Sequence, residues 1–184
     1  NNIIPKSIKK DLINNYAYYF GIINPQKNII EAIKLSQKIK TPILMTKPVD
    51  KKLYKSLIDF IKNNNIIYKP IIIDAPSLKE AYKLIECSKF VLNIPYSGVG
   101  EWSSSWLTAR LVGKIVFASH PTKFGYEKKN NTFFVNNLND FYKDKKKISL
   151  FEETISKYSG IRKPSIDLEN LNLKLRKSFL KSFK

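Results

Sequence analysis

The densest polar cluster in the chain is Tyr96 to Ser105 (YSGVGEWSSS), with two glycines, one carboxylate and a run of hydroxyls. Gly98 and Gly100 let the backbone approach a ligand closely, and Ser103, Ser104 and Ser105 suit a helix start, where they can cap and donate to an anion. Glu101 is placed to accept hydrogen bonds from sugar hydroxyls. The competing reading is a capped surface loop with no ligand. A second candidate is Gly21 to Asn28 (GIINPQKN). Asn24 suits a helix N-cap and Pro25 the first helical position, which puts Lys27 on the first turn. A lysine beside a helix N-terminus can neutralise a diphosphate, although most first-turn lysines are simply solvated.

Other reactive side chains are few. His120 is the single histidine and has no acid or nucleophile near it in sequence, so a structural or substrate-contact role is expected rather than a triad. Cys87 is the single cysteine and lies in an apolar helical stretch. With one of each, neither a disulfide framework nor a thiolate or multi-histidine metal site can be assembled, and no metal is expected. Trp102 and Trp106 could stack on a base or sugar, but aromatics four apart more often face a core.

The elements that must hold these loops follow from apolar runs. Tyr16–Ile22, Pro42–Met45, Ile71–Asp74, Phe90–Ile94, Lys114–Ala118 and Thr132–Val135 read as six short strands. Helices are predicted between them: from Asn24 to Lys38, through Leu53, Leu57, Phe60 and Ile61, and from a capping box at Ser77 and Glu80 with Leu78, Ala81, Tyr82 and Ile85 inward. A fourth passes through Leu107, Ala109 and Leu111 and closes at Gly113. Three more are predicted near Leu138–Tyr142, Leu150–Tyr158 and Ile166–Phe183. Continuous apolar strands alternating with helices predict an α/β fold, Rossmann-like and doubly wound, with a mainly parallel six-stranded sheet covered on both faces. The expected organisation is a lead-in over 1–13, one domain over 14–158, and a linker with a basic amphipathic helix over 159–184. In such sheets ligands bind beyond the carboxyl ends of the strands, where both candidate loops fall.

Composition bounds the partners. The 184 residues include 33 Lys plus Arg against 15 Asp plus Glu, giving a formal net charge of +18. Such a field attracts phosphates, nucleic acid or anionic lipid, while a lysine-rich solvated surface is the plain alternative. No apolar run is long enough to span a membrane and no signal-peptide core opens the chain, so a cytoplasmic location is expected. The basic run Lys143–Lys147 and the stripe Leu168, Leu171, Leu175 and Phe179 add a peripheral contact with a membrane to the expectations, against simple packing of the last helix onto its domain. With no initiator Met, the chain is expected to be a fragment or a processed product.

Taken in order, these parts resemble the C-terminal, donor-binding half of retaining GT-B glycosyltransferases of the group 1 type, over about residues 14 to 145. That family opens this half with a strand and a G-R-L-x-x-x-K-G loop, and Gly21, Ile23 and Lys27 match it without a gap. Its next signature runs from a strand ending in Pro-Ser through a glycine-rich loop with two glutamates to A-M-A-x-G and P-V-V-A-S. Pro95, Ser97, Ala109, Gly113 and Val116 to Ser119 of FVLNIPYSGVGEWSSSWLTARLVGKIVFAS match there. Two positions depart: Ile22 replaces the diphosphate Arg, and Thr108 stands where the second glutamate contacts the donor ribose. Glu101 is one position late for the first. Each loss weakens donor binding by about 1 to 3 kcal/mol.

The resemblance implies a nucleotide-diphosphate sugar as donor, no separate cofactor, and donor contacts from Gly21, Asn24, Lys27, Gly98, Gly100, Ser103, Ser104 and Thr108. It implies Glu101 as the catalytic candidate, His120 as a substrate contact, and an N-terminal acceptor-binding half or partner subunit across the cleft. The alternative is a non-catalytic Rossmann-like module that binds nucleic acid or anionic membrane through its basic surface. A dehydrogenase-like or receiver-like domain is disfavoured, because the first loop lacks G-x-G-x-x-G and no acidic cluster follows the first strand.

Overall fold

The computed structural model describes residues 12–94, 108–109, 112–119 and 131–159. The apolar runs become strands β1 (Ala17–Tyr19), β2 (Ile43–Thr46), β3 (Ile71–Ile73), β4 (Phe90–Asn93), β5 (Val116–Ala118) and β6 (Thr132–Phe134). They form one six-stranded sheet in the order β3-β2-β1-β4-β5-β6. Every pairing is parallel, with registers such as Tyr18 opposite Leu44 and Leu92 opposite Phe117. Parallel strands must be buried on both faces, which is why four of them show no alternation and are buried throughout. The edge strands β3 and β6 are only half-buried.

Helices α1 (Ile29–Lys38), α2 (Lys51–Asn63), α3 (Leu78–Cys87), α4 (Leu138–Lys143) and α5 (Lys145–Ser159) cover the sheet. One core joins Ile29, Ile33 and Leu35 of α1, Leu57 of α2, and Phe141, Phe151 and Ile155 of the last two helices to Ala17, Tyr19, Ile43, Phe90 and Phe117. The other joins Leu84 and Ile85 of α3, with Ala109 and Val112, to Tyr18, Leu44, Val91 and Val116. Alternate strand residues therefore feed opposite cores, and α3 lies on the face away from α1 and α2. On the first face Phe151 meets Phe90 and Phe117 at 5.0 Å and Phe133 at 4.8 Å between ring centres. Each such pair adds roughly 0.5–1.5 kcal/mol beyond simple burial.

Two local predictions, the capping box and the stop at Gly113, hold to the residue, and the structure adds a further helix cap. Ser77 Oγ accepts from Glu80 N at 3.3 Å while Ser77 N donates to Glu80 Oε2 at 2.9 Å, a complete capping box. Asp50 caps α2 by accepting from Lys52 N and Leu53 N. Gly113 adopts φ +78°, and Lys114 N reaches back to Ala109 O at 3.0 Å, closing the helical turn that holds Thr108 and Ala109.

Two predictions are corrected. Helix α1 begins at Ile29 rather than at Asn24, because Asn24 Oδ1 accepts from Gln26 N and Lys27 N and closes a separate turn through Pro25. Asparagine bonding its own following backbone competes with helix at that point. Leu78 does not face inward: it is 55% exposed, and Leu84 takes the core place. The lead-in through residue 11, the loop 95–107, residues 120–130 and the linker and tail beyond Ser159 lie outside the described residues.

Candidate functional site at the strand-order reversal

The strand order reverses between β1 and β4, which pair with Ala17 opposite Phe90 and Tyr18 opposite Val91. The chains leaving β1 and β3 lead to helices on opposite faces of the sheet, and in sheets of this kind ligands bind beyond the carboxyl ends at the point of reversal. Both candidate loops start there. Gly21–Asn28 leaves β1, and Pro95 and the residues after it leave β4. Tyr19 ties the two exits together, since its hydroxyl donates to Ile94 O at 3.3 Å.

The β1 exit is built tightly. Gly21 takes φ +94°, a conformation that a side chain would strain, and its carbonyl accepts from Thr46 Oγ1 at 3.0 Å on the neighbouring strand. The Asn24 turn then folds the chain back so that Lys27 lies partly buried against β1. Its ammonium donates to Phe20 O and sits 4.9 Å from the centre of the Tyr19 ring. Burial lowers its pKa from the ordinary 10.5 to about 8. A carbonyl and an aromatic face are therefore what hold the charge, and they use two of its three donors, leaving one for an incoming anion. Ile22 is 70% exposed beside this turn.

Further along the same edge, Asn93 ends β4 and Ser119 follows β5, and Ser119 N donates to Asn93 O at 3.3 Å. Both are buried polar residues, as is Thr108. The Ser119 hydroxyl is buried and makes no hydrogen bond to any described residue. Such a group is costly in an ordinary core.

Of the residues predicted from sequence, Gly21, Asn24 and Lys27 come together at the reversal, and Thr108 lies buried on the face covered by α3. Gly98, Gly100, Glu101, Trp102, Ser103, Ser104, Trp106 and His120 lie outside the described residues. Sequence reasoning assigned no site role to Tyr19, Thr46 or Ser119. Tyr19 and Thr46 are hidden in apolar runs, where a polar tip gives no periodic signal, and Ser119 counted only as a motif match. Among the described residues no group of three or more His, Cys, Asp or Glu could hold a metal ion.

No protein-family model and no curated protein sequence matches the chain. Among solved structures it is similar to that of AviGT4, a glycosyltransferase involved in avilamycin A biosynthesis, with a TM-score of 0.52 and 13% identity. The fold is glycosyltransferase-like. The match covers 81% of this chain and 42% of that one, so the chain spans about two fifths of the length of that enzyme. At this identity the likeness concerns the backbone arrangement alone. The doubly wound sheet is common to both proteins, and the polar contacts at its carboxyl edge are described from this chain's own residues.

Proposed function

We propose that this chain is the donor-binding half of a GT-B-type glycosyltransferase of the group 1 kind, which transfers a sugar from a nucleotide-diphosphate sugar to an acceptor held by a second half or subunit. The observation that carries this reading is the placing of Lys27, a partly buried cation, at the strand-order reversal of a glycosyltransferase-like sheet. The Lys27 ammonium pairs with the donor diphosphate and offsets the charge that develops as it leaves. Gly21 keeps the backbone close, and Asn24 holds the turn that aims Lys27. Glu101 takes the sugar hydroxyls as the catalytic candidate, with Gly98, Gly100, Ser103 and Ser104 beside it, Thr108 towards the ribose and His120 on the substrate. The nucleotide sugar is substrate, no separate cofactor enters, and retention follows the family's pattern.

Without the arginine that Ile22 replaces, Lys27 is the cation expected to carry the diphosphate, so donor affinity depends on it heavily. Calorimetry against UDP-, GDP- and ADP-sugars tests this, with wild type, Lys27→Gln and Glu101→Ala compared. One nucleotide sugar is expected to bind wild type and to bind both variants more weakly. Silence from the wild type towards all three would remove the reading, and unchanged binding by both variants would remove the site assignment.

A further inference from the structure

Tyr18 and Tyr19 are neighbours on β1 and both are buried, yet the fold uses them differently. Tyr18 faces the α3 core, and its hydroxyl meets no partner among the described residues. Tyr19 faces the α1 core, where its ring centre stands 4.9 Å from the Lys27 ammonium while its hydroxyl donates to Ile94 O at 3.3 Å. A phenylalanine would fill nearly the same volume, so packing accounts for the bulk of the ring and leaves both polar contacts to be explained.

The two contacts meet two needs of an anion site. A lysine carries its charge on a flexible four-carbon stem, so an ammonium that must meet a ligand has to be held in place. Backbone bonds pin the base of the stem, since Lys27 N donates to Asn24 O at 3.0 Å and Ile29 N donates to Lys27 O at 2.7 Å. Its far end is held by Phe20 O and the Tyr19 ring. Among the described residues no carboxylate pairs with it, and Glu31 of the adjoining α1 is bonded to Lys34 and to the Tyr142 hydroxyl instead. A carboxylate would fix the ammonium but cancel its charge, whereas a carbonyl and an aromatic face fix it and leave the full charge for an incoming anion. The second need is a fixed relation between the two strand exits. The register joins β1 to β4 through Tyr18 opposite Val91, and the Tyr19 hydroxyl carries the connection on to Ile94, just past the end of β4.

We propose that Tyr19 is a positioning residue for the donor: its ring aims the Lys27 ammonium at the diphosphate without neutralising it, and its hydroxyl holds the exit of β4 against that of β1. For its ligand this role rests on the donor-binding reading, whereas the hold on the ammonium is measurable with no ligand present.

Ring and hydroxyl can be varied separately in the full chain. Tyr19→Phe removes the hydroxyl and keeps the ring, and 3,4,5-trifluorophenylalanine at position 19 keeps the shape but strips the ring face of its negative charge. With lysine Cε labelled by carbon-13, the Lys27 signal is identified by its loss in Lys27→Arg and its titration followed by NMR. Tyr19→Phe is expected to leave the midpoint unchanged. The fluorinated ring is expected to lower it by roughly half a unit to one unit, because the ammonium loses an attraction that the neutral amine does not share. A residue that merely packs would change stability and leave this midpoint in place, so equal midpoints for the two variants overturn the role of the ring. Calorimetry with whichever of the UDP-, GDP- and ADP-sugars binds the wild type then reads the donor. Tyr19→Phe is expected to weaken binding roughly two- to tenfold. With the fluorinated ring, the decline of affinity with rising pH should move down by the same amount as the Lys27 midpoint. Binding by Tyr19→Phe equal to that of the wild type overturns the role of the hydroxyl, and a pH decline that fluorination does not move overturns the link from ring to diphosphate. If no nucleotide sugar binds the wild type but the midpoint shifts, the donor reading fails and takes the ligand of this site with it, while the hold of Tyr19 on Lys27 stands.

Discussion

The two halves of the sheet's carboxyl edge contrast sharply although one set of parallel strands builds both. Around β1, β4 and β5 the polar groups turn inward: Lys27 rests on Phe20 O and the Tyr19 ring, and Asn93 and Ser119 are buried. Around β2 and β3 the apolar groups turn outward, with Val49 and Leu78 in solvent among lysines. The first arrangement spends stability to hold polar groups away from water, as a small-ligand crevice does. The second leaves apolar area uncovered, as a contact surface does. The order reversal separates the chains leaving β1 and β4, whereas β2 and β3 lead through exposed turns into α2 and α3, which cover opposite faces.

Variants that strike one half and spare the other are the sharpest probes of this contrast, and a scaffold variant sets the scale. Phe151 lies beneath β4 and β5 and touches neither edge, so Phe151→Ala should cost about 3–5 kcal/mol of stability in urea unfolding. Donor binding should then fall as the unfolded fraction grows. Lys27→Gln should cost donor binding about 1.5–3 kcal/mol by calorimetry, while Lys47→Gln/Lys51→Gln/Lys52→Gln should change it only slightly. If the two variants weaken it alike, the edge is one surface and the contrast is wrong.

Acidity offers a graded version of the same test. The Lys27 pKa of about 8 lies below its ordinary 10.5, so the charge needed for a diphosphate is present below about pH 7 and lost as pH rises through 8. Donor affinity should decline over that window in wild type and stay flat in Lys27→Gln. For folding the sign is opposite: the unfolded chain binds the proton more tightly, so the group adds stability as pH climbs from about 8 towards 10.5. The smallest effect is expected at Ser119. Because its hydroxyl has no bond to lose among the described residues, Ser119→Ala should raise stability by about 1 kcal/mol, read by chemical denaturation. A drop in stability would mean that the hydroxyl is satisfied.

Much of the fold was legible residue by residue. The capping box at Ser77 and Glu80, the stop at Gly113 and the six apolar runs all rest on forces acting within a few residues, and all were found where expected. The errors arose where two local rules competed. Asn24 suits a helix cap and equally a turn, and with Pro25 after it the turn prevailed and moved the start of α1 to Ile29. Leu78 carries an apolar side chain at a helical spacing, but as the first residue of α3 it projects past the end of the sheet, where nothing described covers it. Of the candidate site, Gly21 and Lys27 could be named in advance from a loop pattern, whereas Tyr19 and Ser119 could not.

The sequence by itself determined which segments are strands and helices and that the strands are buried on both faces, and it singled out two loops as candidates for the chemistry. Periodicity and capping act locally, so they can be read locally. Only the tertiary structure decided that β1 and β4 are neighbours, that Lys27 folds back on β1 to become a partly buried cation, and that Ile22, Val49 and Leu78 share an edge. Each depends on which strands pair across long stretches of chain, and that is settled by the packing of the whole sheet between its two cores.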